Sequence, residues 1–219
     1  AIETSAFDGC TFLRQLHIPD SVETIGENSF QNCSGLTTLT LENGIETIEP
    51  MAFDYCTALR EVVLPNSVTT VGGMAFRHCD SLTAVTISTG MRGIANAMFQ
   101  YCGSLQSLTL PANIVSIGNS AMSYCYSLEN LQILGNITLF GNSAFYDCQN
   151  LKSIYWAANV TGNYQSGGDN YIFYNAGISN NGITLTMAPN ANLPVGVFMP
   201  YQNSNIPKIT TLIFEDGTI

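Results

Sequence analysis

Basic side chains are scarce in this chain. Six Lys and Arg stand against sixteen Asp and Glu, for a net charge of −10. Phosphate contacts depend on basic groups, so nucleic acid is excluded as a partner and an anionic membrane surface is disfavoured. No apolar run approaches ~18 residues, so no membrane-spanning helix is expected. Histidine occurs only at His17 and His78. No G-x-S-x-G, P-loop or H-E-x-x-H motif is present. His78 adjoins Cys79, but adjacent side chains on a turn diverge, which excludes a Cys–His nucleophile. There is no C-x-x-C pair for zinc and no D-x-D-x-D-G loop for calcium. The expectation is a chain with no cofactor, no metal site and no enzymatic activity. Its acidic balance keeps a long surface soluble.

What the chain has is a strict internal period. Cys10, Cys33, Cys56, Cys79, Cys102, Cys125 and Cys148 stand 23 residues apart. A fixed period in the twenties marks stacked repeats. Counting each cysteine as position 0, position 3 is always leucine, from Leu13 to Leu151. Positions 6, 8, 12 and 15 are apolar, as in Leu108, Leu110, Ile114 and Ile117. Position 20 is Phe30, Phe53, Phe76, Phe99, Met122 and Phe145. One unit cannot bury such a stripe, whereas stacked units bury a continuous one. An apolar fraction of 46% is ample for that core. The odd cysteine count and uniform placement predict a buried thiol ladder, with bridging between neighbouring units as the alternative.

Positions 6 and 8 alternate in and out, which predicts one strand per unit. Positions 12 to 15 allow a second short strand. From position 20 through the cysteine to the leucine the steps are three and three, which predicts short helical turns. Gly26, Gly72, Gly118 and Gly141 at position 16 mark a corner. The fold class is therefore an α/β repeat, a right-handed solenoid with one parallel strand per unit and about 30–35 Å of strand face.

The unit A-F-x-x-C-x-x-L-x-x-L-x-I-P-x-x-V-x-x-I-G, nearly whole between Cys10 and Gly26, resembles the BspA-type leucine-rich repeat family. The resemblance covers residues 1 to about 161. It implies a secreted or cell-surface protein, of the kind found in gut or oral bacteria or mucosal protozoa. The implied function is adhesion to host or cell-surface protein or glycan, with no catalytic residue to carry over. A structural spacer presenting another domain is the alternative.

Residues 1–219 read as a single solenoid, with 1–161 regular and 162–219 degenerate with insertions. The chain starts and ends in mid-unit, so a fragment of a longer protein is expected. In the degenerate part, Phe173 reads as position 20 with Ala176 in the cysteine place. Leu185, Met187 and Leu193 read as positions 6, 8 and 15. Phe198 reads as the next position 20, and Ile209, Leu212 and Phe214 as 3, 6 and 8 of a further unit. Trp156, at position 8, is expected in the core. Positions 5 and 7 point to solvent and form a Thr-rich, nearly uncharged face suited to hydrogen bonding. Position 4 carries Arg14, Arg60 and Lys152, expected as solvated surface charges. The candidate partner-binding residues are Asn130, Gln132 and Tyr155 on the strands, with Tyr164 and Tyr171 on a Gly-rich insertion. These tyrosines and Tyr174 are expected to cluster, since inserted loops on a rigid scaffold carry recognition.

Overall fold

A computed structural model describes residues 1–158, 171–180, 182–193, 197–198 and 209–215. In chain order its strands are β1 (Gln15–Ile18), β2 (Thr24–Ile25), β3 (Thr38–Leu41), β4 (Thr47–Ile48), β5 (Glu61–Val63), β6 (Thr70–Val71), β7 (Ala84–Thr86), β8 (Gly93–Ile94), β9 (Ser107–Leu110), β10 (Ser116–Ile117), β11 (Asn130–Ile133), β12 (Leu139–Phe140), β13 (Ser153–Trp156), β14 (Ile183–Met187) and β15 (Ile209–Phe214). The odd strands through β13, with β14 and β15, form the front face. The even strands from β2 to β12 are the second short strand of each coil and form the back. All pairings are parallel, and equal positions face each other, as in Leu131↔Leu108 and Ile117↔Ile94. The front ladder runs β1-β3, β5-β7 and β9-β11-β13-β14-β15. The back ladder runs β2-β4-β6 and β8-β10-β12.

The expected helical turns are absent: the described residues contain no helix. Positions 20, 0 and 3 are instead joined by successive three-residue turn bonds, such as Cys33 N–H to Phe30 O (3.3 Å) and Leu36 N–H to Cys33 O (2.9 Å). What stops them from continuing as a helix is a left-handed residue at positions 18 and 22 of each coil. Asn28 (φ 55°), Asn32 (58°), Met51 (56°) and Tyr55 (61°) show the pattern. A left-handed residue turns its amide out of the helical path. These amides point along the stack and bond the next coil. Asn28 N–H meets Pro50 O, Phe30 N–H meets Ala52 O, and Asn32 N–H meets Asp54 O, at 2.9–3.1 Å. The turn is thus a third inter-coil ladder, and its hydrogen bonds recur from the first coil to Tyr174.

The core follows the sequence columns. Phe7, Phe30, Phe53, Phe76 and Phe99 stack at 5.1–5.7 Å, and Phe145 stacks on Phe173 at 4.9 Å. Six cysteines from Cys33 to Cys148 are buried, and all seven are free thiols. Cys10 departs from the expected ladder. It is exposed, as is Phe7 (45%), because the first coil is packed on one side only. The glycines of position 16 meet a spatial need, not a conformational one. A Cβ on Gly118 would stand 2.6 Å from Asn96 N, and one on Gly141 2.2 Å from Asn119 N.

The degenerate part keeps register apart from one irregularity, where Ile183 faces Ile209 and Thr184 faces Thr211. Ile154↔Leu185↔Leu212 and Trp156↔Met187↔Phe214 continue positions 6 and 8. Phe198 stacks on Phe173 at 4.9 Å. Ala176 is buried in the cysteine place, whereas Leu193 is exposed and does not match the buried position 15. Trp156 is fully buried, and its Nε1–H donates to Asn192 O at 2.9 Å.

Candidate recognition surface

The strand face brings three of the expected residues together. β11, β13 and β14 place Asn130 beside Ser153, Gln132 beside Tyr155, and Tyr155 beside Thr186. Two of the three are already engaged within the chain. Ser153 Oγ donates to Asn130 Oδ1 at 2.7 Å, and the Tyr155 hydroxyl donates to Glu215 Oε2 at 3.0 Å. That bond to Glu215 holds the Tyr155 phenol above its ordinary pKa. Lys152 pairs with Glu129 at 2.6 Å in the open, a contact of little weight. Between β7 and β9, where the ladder is interrupted, lies a cleft of 310 Å³ with Val85, Ile87 and Pro111 in its lining and Thr86, Ser107 and Thr109 supplying hydroxyls.

The tyrosine cluster divides. Tyr164 lies outside the described residues. Tyr171 stands on the turn side, edge-on to Tyr174 at 5.3 Å, and its N–H donates to Asn142 Oδ1. Tyr155 belongs to the strand face.

A larger aromatic feature runs along the turn ladder. Position 22 is Gly9, Asn32, Tyr55, His78, Tyr101, Tyr124, Asp147 and Asn175, and every one has positive φ. Gly, Asn and Asp tolerate that conformation, whereas a bulky residue there is an outlier. In four consecutive coils the position is nonetheless aromatic. Tyr55, His78, Tyr101 and Tyr124 stack face to face at 4.3, 4.4 and 4.5 Å. Beyond Tyr124 the rings fan out through Tyr126, Tyr146, Tyr174 and Tyr171. Tyr55 (39%) and Tyr126 (41%) are the most open. The sequence does carry the signal: an aromatic residue directly precedes Cys56, Cys79, Cys102 and Cys125.

Below Tyr55 lies the buried carboxylate of Asp54. Arg77 meets it with Nε and Nη2 at 3.0 and 2.8 Å, and Gln31 Nε2 adds a third bond at 3.1 Å. The carboxylate contact raises the Arg77 pKa, and the guanidinium lies 5.6 Å from the Tyr55 ring centre. The six buried thiols offer no reactive group at this surface. Burial pushes Cys33 up to about 11 and Cys125 up to about 12, and each buried Sγ–H donates to a carbonyl of the preceding coil, as Cys102 does to Phe76 O at 3.3 Å. Among the described residues no three His, Cys, Asp or Glu side chains are grouped to hold a metal ion, and no helix is long and apolar enough to cross a membrane.

A family model of the BspA type leucine rich repeat region matches in six copies, over residues 1–92 and 47–179. The chain belongs to the BspA-type leucine-rich repeat family. Among solved structures, this BspA-type chain is similar to a leucine-rich repeat protein of T. pallidum, at 31% identity and TM-score 0.64, over 68% of this chain and 70% of that one. A leucine-rich repeat protein of Bacteroides ovatus shares the fold at 24% identity and TM-score 0.51, over 99% of this chain and 65% of that one. One of Eubacterium ventriosum does so at 19% identity and TM-score 0.56, over 63% and 37% of the respective chains. No match is found among curated proteins. The family match indicates no enzyme family for these BspA-type repeats.

Proposed function

We propose that this chain is a non-catalytic recognition module of a secreted or cell-surface protein, holding a protein or glycan partner against a rigid repeat surface. The observation that carries the reading is the aromatic row at position 22. Left-handed geometry costs a bulky residue about 1 kcal/mol, and strain of this kind gathers at functional sites. The same chain uses Gly9, Asn32 and Asn175 at that place in other coils. Aromatic rings on a preorganised frame give large contact area at little ordering cost. Asn130, Gln132 and Tyr155 on the strand face remain a second proposed contact region, whereas Tyr171 joins the aromatic side through Tyr174 and Tyr164, outside the described residues, is proposed from the sequence alone.

A binding screen against extracellular-matrix proteins and glycans tests the proposal, run beside a variant with Tyr55, Tyr101 and Tyr124 replaced by Asn. Binding that weakens at least tenfold in a variant with an unchanged melting transition is the expected result. Equal binding by both proteins removes the row from the account. The second reading is a structural spacer that binds nothing. It is favoured by amide side chains spent inside the stack: Asn96 Oδ1 accepts Asn119 N–H at 2.8 Å, and Asn119 Oδ1 accepts Asn142 N–H at 2.7 Å. A screen in which neither protein retains any ligand supports the spacer.

A further inference from the structure

The ring-on-ring stack ends at Tyr124, because the next residue of the column is Asp147 (φ 62°). Around this carboxylate the rings change orientation. Tyr126 is tilted 59° to Tyr124 at 6.1 Å, Tyr146 is edge-on to Tyr124 at 5.4 Å, and Tyr174 stacks on Tyr146 at 5.2 Å. Gln149 Nε2 and Asn175 Nδ2 both donate to Asp147 Oδ1, at 3.1 and 2.9 Å. Among the described residues nothing donates to Oδ2. The four ion pairs of the described residues engage Glu42, Asp54, Asp80 and Glu129, and none engages Asp147. Its charge is felt by the rings: burial first, and Asp147 next, lift the phenols of Tyr126 and Tyr146 above their ordinary pKa.

We propose that Tyr124, Tyr126, Tyr146 and Tyr174 around Asp147 form a docking surface for an arginine-bearing protein segment, with the guanidinium paired to the carboxylate and laid against a tyrosine face. The proposal rests on the recognition reading above and names the partner's chemistry. A carboxylate attracts a cation, and a tyrosine face attracts it again through the ring quadrupole. Arginine satisfies both, because its planar fork meets a carboxylate by two hydrogen bonds while its flat side stacks. The chain contains the finished version of this arrangement. Three to four coils earlier, Arg77 grips Asp54 by two bonds and covers the Tyr55 ring. At Asp147, one position further along its coil, the carboxylate and rings are present and no described side chain supplies the guanidinium. The net charge of −10 steers a basic segment toward the module.

The test is fluorescence polarisation with a labelled Gly/Ser peptide bearing three arginines, against the same peptide with citrulline in their place. Binding at least tenfold tighter for arginine is expected. Asp147→Asn and Tyr126→Ala should each weaken it fivefold or more. Glu46→Gln, an equal charge change at an exposed site on another coil, should shift it less than twofold. The proposal is overturned if citrulline binds equally, if Glu46→Gln matches Asp147→Asn, or if the arginine peptide shows no binding at about millimolar concentration. A matrix or glycan ligand whose affinity survives Asp147→Asn would leave the recognition module standing and remove only this partner class.

Discussion

Tyr101→Asn separates a ring kept for recognition from one kept for stability. The substitution removes two stacking contacts, with His78 at 4.4 Å and Tyr124 at 4.5 Å. Aromatic pairs contribute about 0.5–1.5 kcal/mol each, and partly exposed rings sit at the low end, so the loss is about 1–2 kcal/mol. Against this, the residue at φ 63° is relieved of left-handed strain. Asparagine adopts that geometry readily, as Asn32 and Asn175 already do at this position, which returns about 1 kcal/mol. The net change is within about 1 kcal/mol. Phe99→Ala, two residues earlier and fully buried, should cost about 3–5 kcal/mol. Urea unfolding followed by circular dichroism measures both, provided the fitted slopes agree. Because repeat arrays open locally, exchange of the Tyr101 amide, which bonds Ser123 O at 3.0 Å, is measured alongside. A loss of 3 kcal/mol or more for Tyr101→Asn would refute the reasoning. The row would then be mortar between coils, and its strain would say nothing about a partner.

Alkylation at pH 8 followed by mass spectrometry should modify Cys10 alone in the native chain and all seven thiols after denaturation. Since burial raises the Cys33 and Cys125 thiols from 9.0 to about 11 and about 12, the folded state holds protons that the unfolded state releases. Their contribution is therefore complete below pH 9 and declines as pH climbs toward 11–12, which unfolding curves across pH 8–11 will show; a rise in stability over that window contradicts it. Arg77→Met leaves the buried Asp54 carboxylate with only Gln31, and should destabilise by about 3 kcal/mol. The Asp54→Asn/Arg77→Met double variant should recover a large part of that loss, and strict additivity in the cycle would count against the pair.

The repeat columns were readable because burial acts identically on every coil. Leu36, Leu59, Leu82 and Leu105 are all fully buried for one reason, and the short second strand followed from the same columns. The turn was misread because spacing by threes fits both a helix and a chain of β-turns. Only φ at positions 18 and 22 decides between them, and residues as different as Ser5, Met51, Met74 and Ala97 share position 18. Their identity carries no left-handed signature, since the inter-coil hydrogen bonds impose it. The aromatic row was missed for a related reason. A tyrosine next to a buried cysteine reads as a turn residue until the coils are superimposed, and only stacking makes Tyr55, His78, Tyr101 and Tyr124 neighbours. On the strand face, Asn130 faces Ser153 and Gln132 faces Tyr155, as equal positions of neighbouring coils must, but the internal bonds of Asn130 to Ser153 and of Tyr155 to Glu215 depend on partners 23 and 60 residues away.

The position of the row also follows from how the coils are joined. The front ladder is interrupted between β3 and β5 and again between β7 and β9, and the back ladder between β6 and β8. No two coils lose both sheets at once, but neither sheet is continuous through the middle of the molecule. The turn ladder is. Tyr55 N–H bonds Arg77 O, His78 N–H bonds Gln100 O, Tyr101 N–H bonds Ser123 O, and Tyr124 N–H bonds Tyr146 O, at 2.8–3.0 Å. Each aromatic residue is therefore itself a rung of the ladder that bridges every break. A contact surface that spans several coils keeps its spacing only where successive coils are tied without interruption. On the strand face a partner bridging β7 and β9 would cross a gap, whereas along position 22 it would meet rings fixed at 4.3–4.5 Å by the same amides that hold the coils together. Left-handed geometry is what turns those amides along the stack, so the strain at Tyr55, His78, Tyr101 and Tyr124 and the rigidity of the surface they present have one cause.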